Sequence, residues 1–201
     1  MIFVRSKIYP AMIGAAIFIV VVKAMAASSQ ITHVPLFRRT LIFELPENLV
    51  LTNEKRSGTN VLIEYLPRGE TFANWTHMVT IQASKGFSGS VLSSAEIARK
   101  AFYPSVCKNG PIYVDMGEAF FSSELKRSII VNGCASLPSG AYPDALSGAG
   151  EQDFIMMFRD ADAIYALNYA FRGKSFKAGR PPVTLKNAEK LLHATFGDIA
   201  L

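Results

Sequence analysis

The sequence predicts an α+β fold: a mainly antiparallel sheet of about six to seven strands, with a mid-chain helix and a C-terminal helix packed on it. Three observations carry this. Short β-prone runs follow one another across short, turn-like connections, which favours antiparallel neighbours. Two stretches, one after Ser93 and one after Pro181-Pro182, repeat apolar residues at helical spacing. One strand near the C-terminus has large residues on one face and small ones on the other, so a helix is expected to approach the small face.

The chain opens on a leader. "MIFVRSKIYPAMIGAAIFIVVVKAMAASSQ" begins with the basic residues Arg5 and Lys7, runs apolar from Ile8 to Val22, and reaches Ala24-Met25-Ala26. That is the build of a secretory signal peptide, with cleavage expected between Ala26 and Ala27. The apolar run of 15 residues is shorter than the roughly 20 that a spanning helix needs. A membrane attachment is expected only through this segment, and only if it stays uncleaved. Arg5, Lys7 and Lys23 leave with it and no acid does. The 21 basic residues fall to 18 against 16 acidic ones, a net charge of +2. Nucleic-acid binding is not expected, because the mature part has only the short basic pairs Arg38-Arg39 and Lys126-Arg127, read as solvated strand ends. Residues 27–201 are long enough for one domain with a real core.

The first strand is placed in Leu36–Glu47, ending at Pro46. A second, "TNVLIEYLPRG", follows Ser57-Gly58 and alternates Val61, Ile63 and Tyr65 against Leu62, Glu64 and Leu66. "HMVTIQ" puts Val79 and Ile81 on one face. A helix is expected next: Ser93 and Glu96 make a capping-box pattern, Ile97, Ala98, Ala101 and Phe102 follow, and Pro104 ends it. "PIYVDMGEAFF" and "LKRSIIVNGCA" read as a hairpin, with Asp115 and Glu118 pointing to opposite faces. Residues 135–153, rich in Gly, Pro, Ser and Ala, read as a long surface loop. "DFIMMF" and "AIYALNYAFRG" are the last strands, turned by "RDAD". Tyr165, Leu167, Tyr169 and Phe171 form the large face of the second. "VTLKNAEKLLHATFGDIAL" closes the chain as a helix, with Thr184 able to cap it and Ala188, Leu191, Leu192, Phe196 and Ile199 in one stripe.

The only cysteines are Cys107 and Cys134. An even count in an exported chain reads as a disulfide. No C-x-x-C arrangement points to a catalytic thiol.

No complete catalytic pattern stands out. His33, His77 and His193 lack the spacing of a helical zinc site. "GFSGS", Gly86 to Ser90, has Ser90 where a nucleophile elbow needs glycine. "SGAG", Ser147 to Gly150, follows a loop and precedes a strand, the reverse of a dinucleotide loop. Glu64, Glu70, Asp115, Glu118, Asp160 and Asp162 lie on or beside strands and read as solvent-facing. Neither metal nor other cofactor is expected. Asn74-Trp75-Thr76 is a glycosylation acceptor in a host with that machinery. Asn132-Gly133-Cys134 is a rarer variant, discounted because Cys134 is expected to be bridged.

The order of elements from Leu36 to Leu201 resembles the PsbP and Mog1-like family, and "FELPENLVL" resembles the strand that enters a Pro turn at the start of such domains. The resemblance implies an antiparallel sheet under a mid-chain and a C-terminal helix, and an accessory or interaction role rather than catalysis. It carries over no functional residue. "EYLPRGETFANWTHMVTIQ" also looks like a Trp-Thr-x-Met stretch of small exported bacterial proteins, which implies the periplasm.

The functional expectation is therefore an exported, non-catalytic binding or accessory protein of the cell envelope, periplasmic or secreted, with a protein or small-molecule partner. Tyr65, Arg68, Trp75 and His77 are the candidate contact surface, since aromatic and arginine side chains anchor such patches. Trp75 itself is expected to fold its ring onto the core edge. The alternative is an exported hydrolase, which needs His77 or His193 beside an acid or nucleophile in a concave pocket.

Overall fold

Strand follows strand through most of the described residues because β-branched and aromatic residues alternate with polar ones over short runs. A computed structural model describes residues 28–86, 107, 114–120, 126–137, 148–177 and 180–201. The described elements are β1 (Ser29–Leu36), β2 (Arg39–Pro46), β3 (Leu49–Arg56), β4 (Asn60–Pro67), β5 (His77–Lys85), β6 (Val114–Phe120), β7 (Lys126–Cys134), β8 (Ala149–Arg159), β9 (Ala163–Lys174) and α1 (Leu185–Phe196). The expected leader with its Ala26–Ala27 junction, the expected helix over Ser93–Phe102, and Phe87–Ser90 lie outside the described residues.

The expected antiparallel sheet is present, in a larger form. β1 and β2 make a two-stranded sheet, and the other strands make a seven-stranded one in the order β3-β4-β5-β9-β8-β7-β6. Every pairing is antiparallel. Leu36–Glu47 is not one strand. It divides between β1 and β2 at Phe37-Arg38, where Phe37 takes a φ of 57°. Tight hairpins usually mark that conformation with Gly, Asn or Asp, and this one does not. β3 was not expected, because "LTNEKR" at its end is polar on both faces. The 135–153 loop is shorter than expected: β8 begins at Ala149, and Ala135 and Leu137 are buried.

One face of the large sheet holds the main core. Val61, Ile63, Val79, Ile81, Phe154, Tyr165 and Leu167 meet Val34, Leu36, Leu41, Phe43 and Leu45 of the hairpin and Ala188, Leu192 and Phe196 of α1. Phe196 stands edge-on to both Phe43 (5.7 Å) and Tyr169 (5.9 Å). The described helix therefore packs on the large-residue face of β9; among the described residues no helix lies over the small face. Ala188 is fully buried in this core, and the rings of Phe43 and Tyr169 stand against Phe196. On the opposite face Ile130, Ile155, Met157, Ile164 and Ala166 form a second cluster.

α1 starts at Leu185, and Thr184 occupies its N-cap position without a side-chain capping bond. It stops at Phe196, earlier than expected, because Gly197 takes a φ of 61° and donates its N–H to His193 O at 2.9 Å. The positive φ favours glycine here, and a Cβ would also displace the Glu44 carboxylate, 2.7 Å away. Beyond it, Ala200 exchanges backbone bonds of 2.8 and 2.9 Å with Ile42 and covers part of the outer edge of β2.

Candidate functional site

Pro67, Gly69 and the polar run that follows end β4, and residues 69–76 fold back on themselves before β5 begins. Glu70 organises this loop: its carboxylate accepts from Thr76 N (2.6 Å) and Thr76 Oγ1 (2.7 Å). Asn74 Oδ1 accepts from Thr71 N and Thr71 Oγ1, both at 2.8 Å. Asn74 is exposed, so the glycosylation acceptor lies at the surface with its Thr76 hydroxyl already engaged. Asn132, of the second acceptor, is buried.

The four residues of the candidate surface do not form one patch. Trp75 is only 4% exposed and packs with Leu66, Ala170 and Met78 on the face opposite the main core. Its inclusion as a contact residue is corrected by that burial, which agrees with the expectation that the ring folds inward. The Arg172 guanidinium lies 3.9 Å from the ring centroid. Arg172 donates from Nε (3.0 Å) and Nη2 (2.7 Å) to Glu151 Oε2, and both partners are buried. Register places Cys134 opposite Glu151 and Glu151 opposite Arg172. The Cys107–Cys134 disulfide, with its Cα atoms 5.6 Å apart, is thus at one end of a buried row that finishes at Trp75.

Tyr65 and His77 belong to the other face. Tyr65 packs at the margin of the main core, and burial, together with the Glu54 charge, pushes its phenol up from the ordinary value. His77 is exposed and stacks on Tyr169, with ring centroids 5.9 Å apart and planes within 6°. Tyr169 Oη and His77 Nδ1 are 2.9 Å apart. Burial raises the Tyr169 phenol, keeping it protonated and able to donate to the imidazole. Leu51, exposed on the edge strand, is in register with Tyr65. Arg68 is exposed just past the end of β4. The result is a ledge of Leu51, Tyr65, Tyr169 and His77 beside the main core. Sequence spacing could give the strand faces but not the Tyr169–His77 pairing across 92 positions.

A second constellation sits at the turn between β8 and β9. Asp160, its side chain 3% exposed, accepts from Arg39 Nε (2.9 Å), Tyr165 Oη (3.2 Å), Asp162 N (2.9 Å) and Ala163 N (2.8 Å). Burial alone would push its carboxyl up. The four donors more than reverse that and leave it below its ordinary value. Tyr165 is pushed up to about 12 by burial and by the Asp160 charge. Arg38 reaches Asp162 at 2.7 Å. Arg39, its side chain 18% exposed, is therefore an anchor and not the solvated strand end expected, while Arg38 is solvated as expected. Clefts of about 520 and 360 Å³ open here, but the carboxylates that line them are already engaged by arginine. Asp160, expected as a solvent-facing acid, is buried and joins β2 to the β8–β9 turn, while Asp162 faces solvent as expected and pairs with Arg38. Glu64 accepts from Asn53 Nδ2 at 2.7 Å. Asp115 and Glu118 are in register with Ile130 and Ser128, with a shift in the ladder between them.

The third place is a cleft of about 320 Å³ at the C-terminal end of α1, lined by Arg127, Glu189, His193 and Asp198 among others. His193 Nε2 is 3.1 Å from Asp198 Oδ1, and Arg127 Nη2 is 3.1 Å from Glu189 Oε1. The His193 and Asp198 side chains are 71% and 100% exposed. No family model matches this chain, and no curated protein matches its sequence. Among the described residues, no group of three or more His, Cys, Asp or Glu is placed to hold a metal ion, and no helix is long and apolar enough to cross a membrane.

Proposed function

We propose that this chain is an exported, non-catalytic binding or accessory protein of the cell envelope that meets its partner through the ledge of Tyr65, Tyr169 and His77, with Arg68 nearby. The observation that carries this reading is the stacked, hydrogen-bonded Tyr169–His77 pair at the surface. It offers aromatic area already fixed in place, so little side-chain freedom is lost on binding. The disulfide supports an oxidising compartment. The Ala26–Ala27 cleavage and the PsbP/Mog1-like kinship belong to the same proposal.

A photo-crosslinking residue at His77, introduced in the living source cell, tests the contact face. The expected result is one discrete adduct that is lost with Tyr65→Ala and is not seen when the probe is at the exposed Lys190. Equal labelling at both positions would overturn the assignment. Mass measurement of the exported protein should find Ala27 first; an intact Met1 would overturn the cleavage.

An exported hydrolase is the second reading, and the His193–Asp198 contact beside a cleft is what favours it. Solvent on both side chains weakens their coupling. A hydrolytic activity lost with His193→Ala would replace the binding reading.

A further inference from the structure

We propose that β1 pairs edge to edge with β1 of a second copy of this chain, joining two hairpins into one four-stranded sheet. A strand edge exposes a row of unpaired N–H and C=O groups, and proteins blunt such edges with charge, bulges or cover. β3 carries Glu54, Lys55 and Arg56, and its ladder shifts register between Leu51 and Asn53. β6 carries Asp115 and Glu118, and its ladder shifts between them. The outer edge of β2 is met by Ala200. β1, "SQITHVPL", has no acidic or basic residue other than His33 and keeps one unbroken register with β2.

Among the described residues, the phase of the ladder shows which groups are open. Glu47 N donates to Ser28 O at 3.0 Å, which makes that opposed pair a hydrogen-bonded one. Alternation then turns the backbone groups of Gln30, Thr32 and Val34 toward β2, and those of Ser29, Ile31 and His33 outward. Pro35 has no N–H, and its carbonyl accepts from Arg56 Nη1 at 2.7 Å, so the open edge stops at His33.

This edge is its own complement. A two-fold axis at Ile31 sets Ile31 against Ile31 and Ser29 against His33 of the second copy. Every outward group then meets an outward group, which is the isologous arrangement a symmetric dimer requires. It also brings together the two copies of Ile31, which is 71% exposed, more than Leu51 or Phe72. A partner of another sequence would need an uncharged strand with the same alternation; a second copy supplies one by construction. The ledge around His77 is not involved.

Sedimentation of the purified protein over a dilution series is the test. The expected result is a dimer that dissociates on dilution. Ile31→Lys, which sets two like charges opposite each other, should raise the dissociation constant by about tenfold or more. Leu51→Lys should leave it unchanged. Ile31→Cys should form an oxidised dimer, because opposed residues in such a pair have Cα atoms about 5.5 Å apart, within disulfide reach. This last readout does not depend on Ile31→Lys folding normally. A monomer up to the limit of solubility, or a dimer indifferent to Ile31→Lys that does not crosslink through Ile31→Cys, would overturn the proposal. Either result would leave the Tyr65–His77 reading standing.

Discussion

Arg172 lies with its guanidinium 3.9 Å from the centre of the Trp75 ring while two of its nitrogens hold one oxygen of Glu151. The charge on each side chain is compensated by the other, and the indole covers the arginine. Removing Arg172 takes from the buried Glu151 carboxylate the guanidinium that contacts it at 2.7 Å. Arg172→Ala should therefore destabilise the fold by about 3–5 kcal/mol in urea unfolding. The double variant Arg172→Met, Glu151→Met should recover much of that loss. If the double variant unfolds as easily as the single one, the pair is not the unit described.

The phenol of Tyr165, raised to about 12, gives a pH dependence with a definite sign. In the unfolded chain it ionises near the ordinary value of 10. Its contribution is fully present below that pH and is lost as pH rises toward 12. Asp160, lowered from its ordinary value of 3.8, contributes stability above that pH and loses it as pH falls through the folded value. Tyr165→Phe should flatten the alkaline loss and leave the acid limb dependent on Asp160. A variant with the wild-type alkaline slope would remove Tyr165 as its source.

The Cys107–Cys134 bridge closes a loop between positions 27 apart. On the chain-entropy model, replacing both cysteines by serine should cost about 3–4 kcal/mol in equilibrium unfolding. Digestion without reductant should give one joined peptide pair from these two positions. Thiols open to alkylation in the native protein would contradict the bridge.

Phe37 pairs a left-handed backbone, φ 57°, with useful contacts: its ring lies 6.5 Å from Tyr165 and under Lys85 Nζ at 4.5 Å. The contacts and the strain can be separated. Both Phe37→Ala and Phe37→Gly lose the ring, but only glycine relieves the backbone. The glycine variant should be the more stable by about 1 kcal/mol, the reverse of the usual order for an extended segment. Equal stability would mean that the turn carries no strain.

The legible parts of the fold were those where one periodicity acts alone. β9 could be read because Tyr165, Leu167, Tyr169 and Phe171 alternate without a break, and all four do face the main core. The α1 stripe was readable for the same reason. The Phe37-Arg38 turn was hidden because it contains none of the residues that mark turns, and tertiary contacts with Tyr165 and Lys85 hold it in place of local preference. β3 was hidden by polar residues that belong to an exposed edge. Glu151 and Asp153 looked like loop residues because glycine and acid precede "DFIMMF"; in β8 they are buried by the sheet, and Glu151 is neutralised by a residue two strands' length away in sequence. In the candidate site, Trp75 could be placed at the core edge from its setting. The His77–Tyr169 pair could not, because it depends on which strands adjoin.

The pairing of β5 with β9 has a kinetic meaning. β3, β4 and β5 form one meander of neighbours, and β6, β7, β8 and β9 form another. Each can zip up from local hairpins. The seam between them joins residues such as His77 and Tyr169, 92 positions apart, and its loop-closure entropy must be met before any contact there stabilises the chain. In the order of this sheet, β5–β9 is the pairing between strands that are not consecutive in sequence, so loop-closure entropy weighs most on that seam.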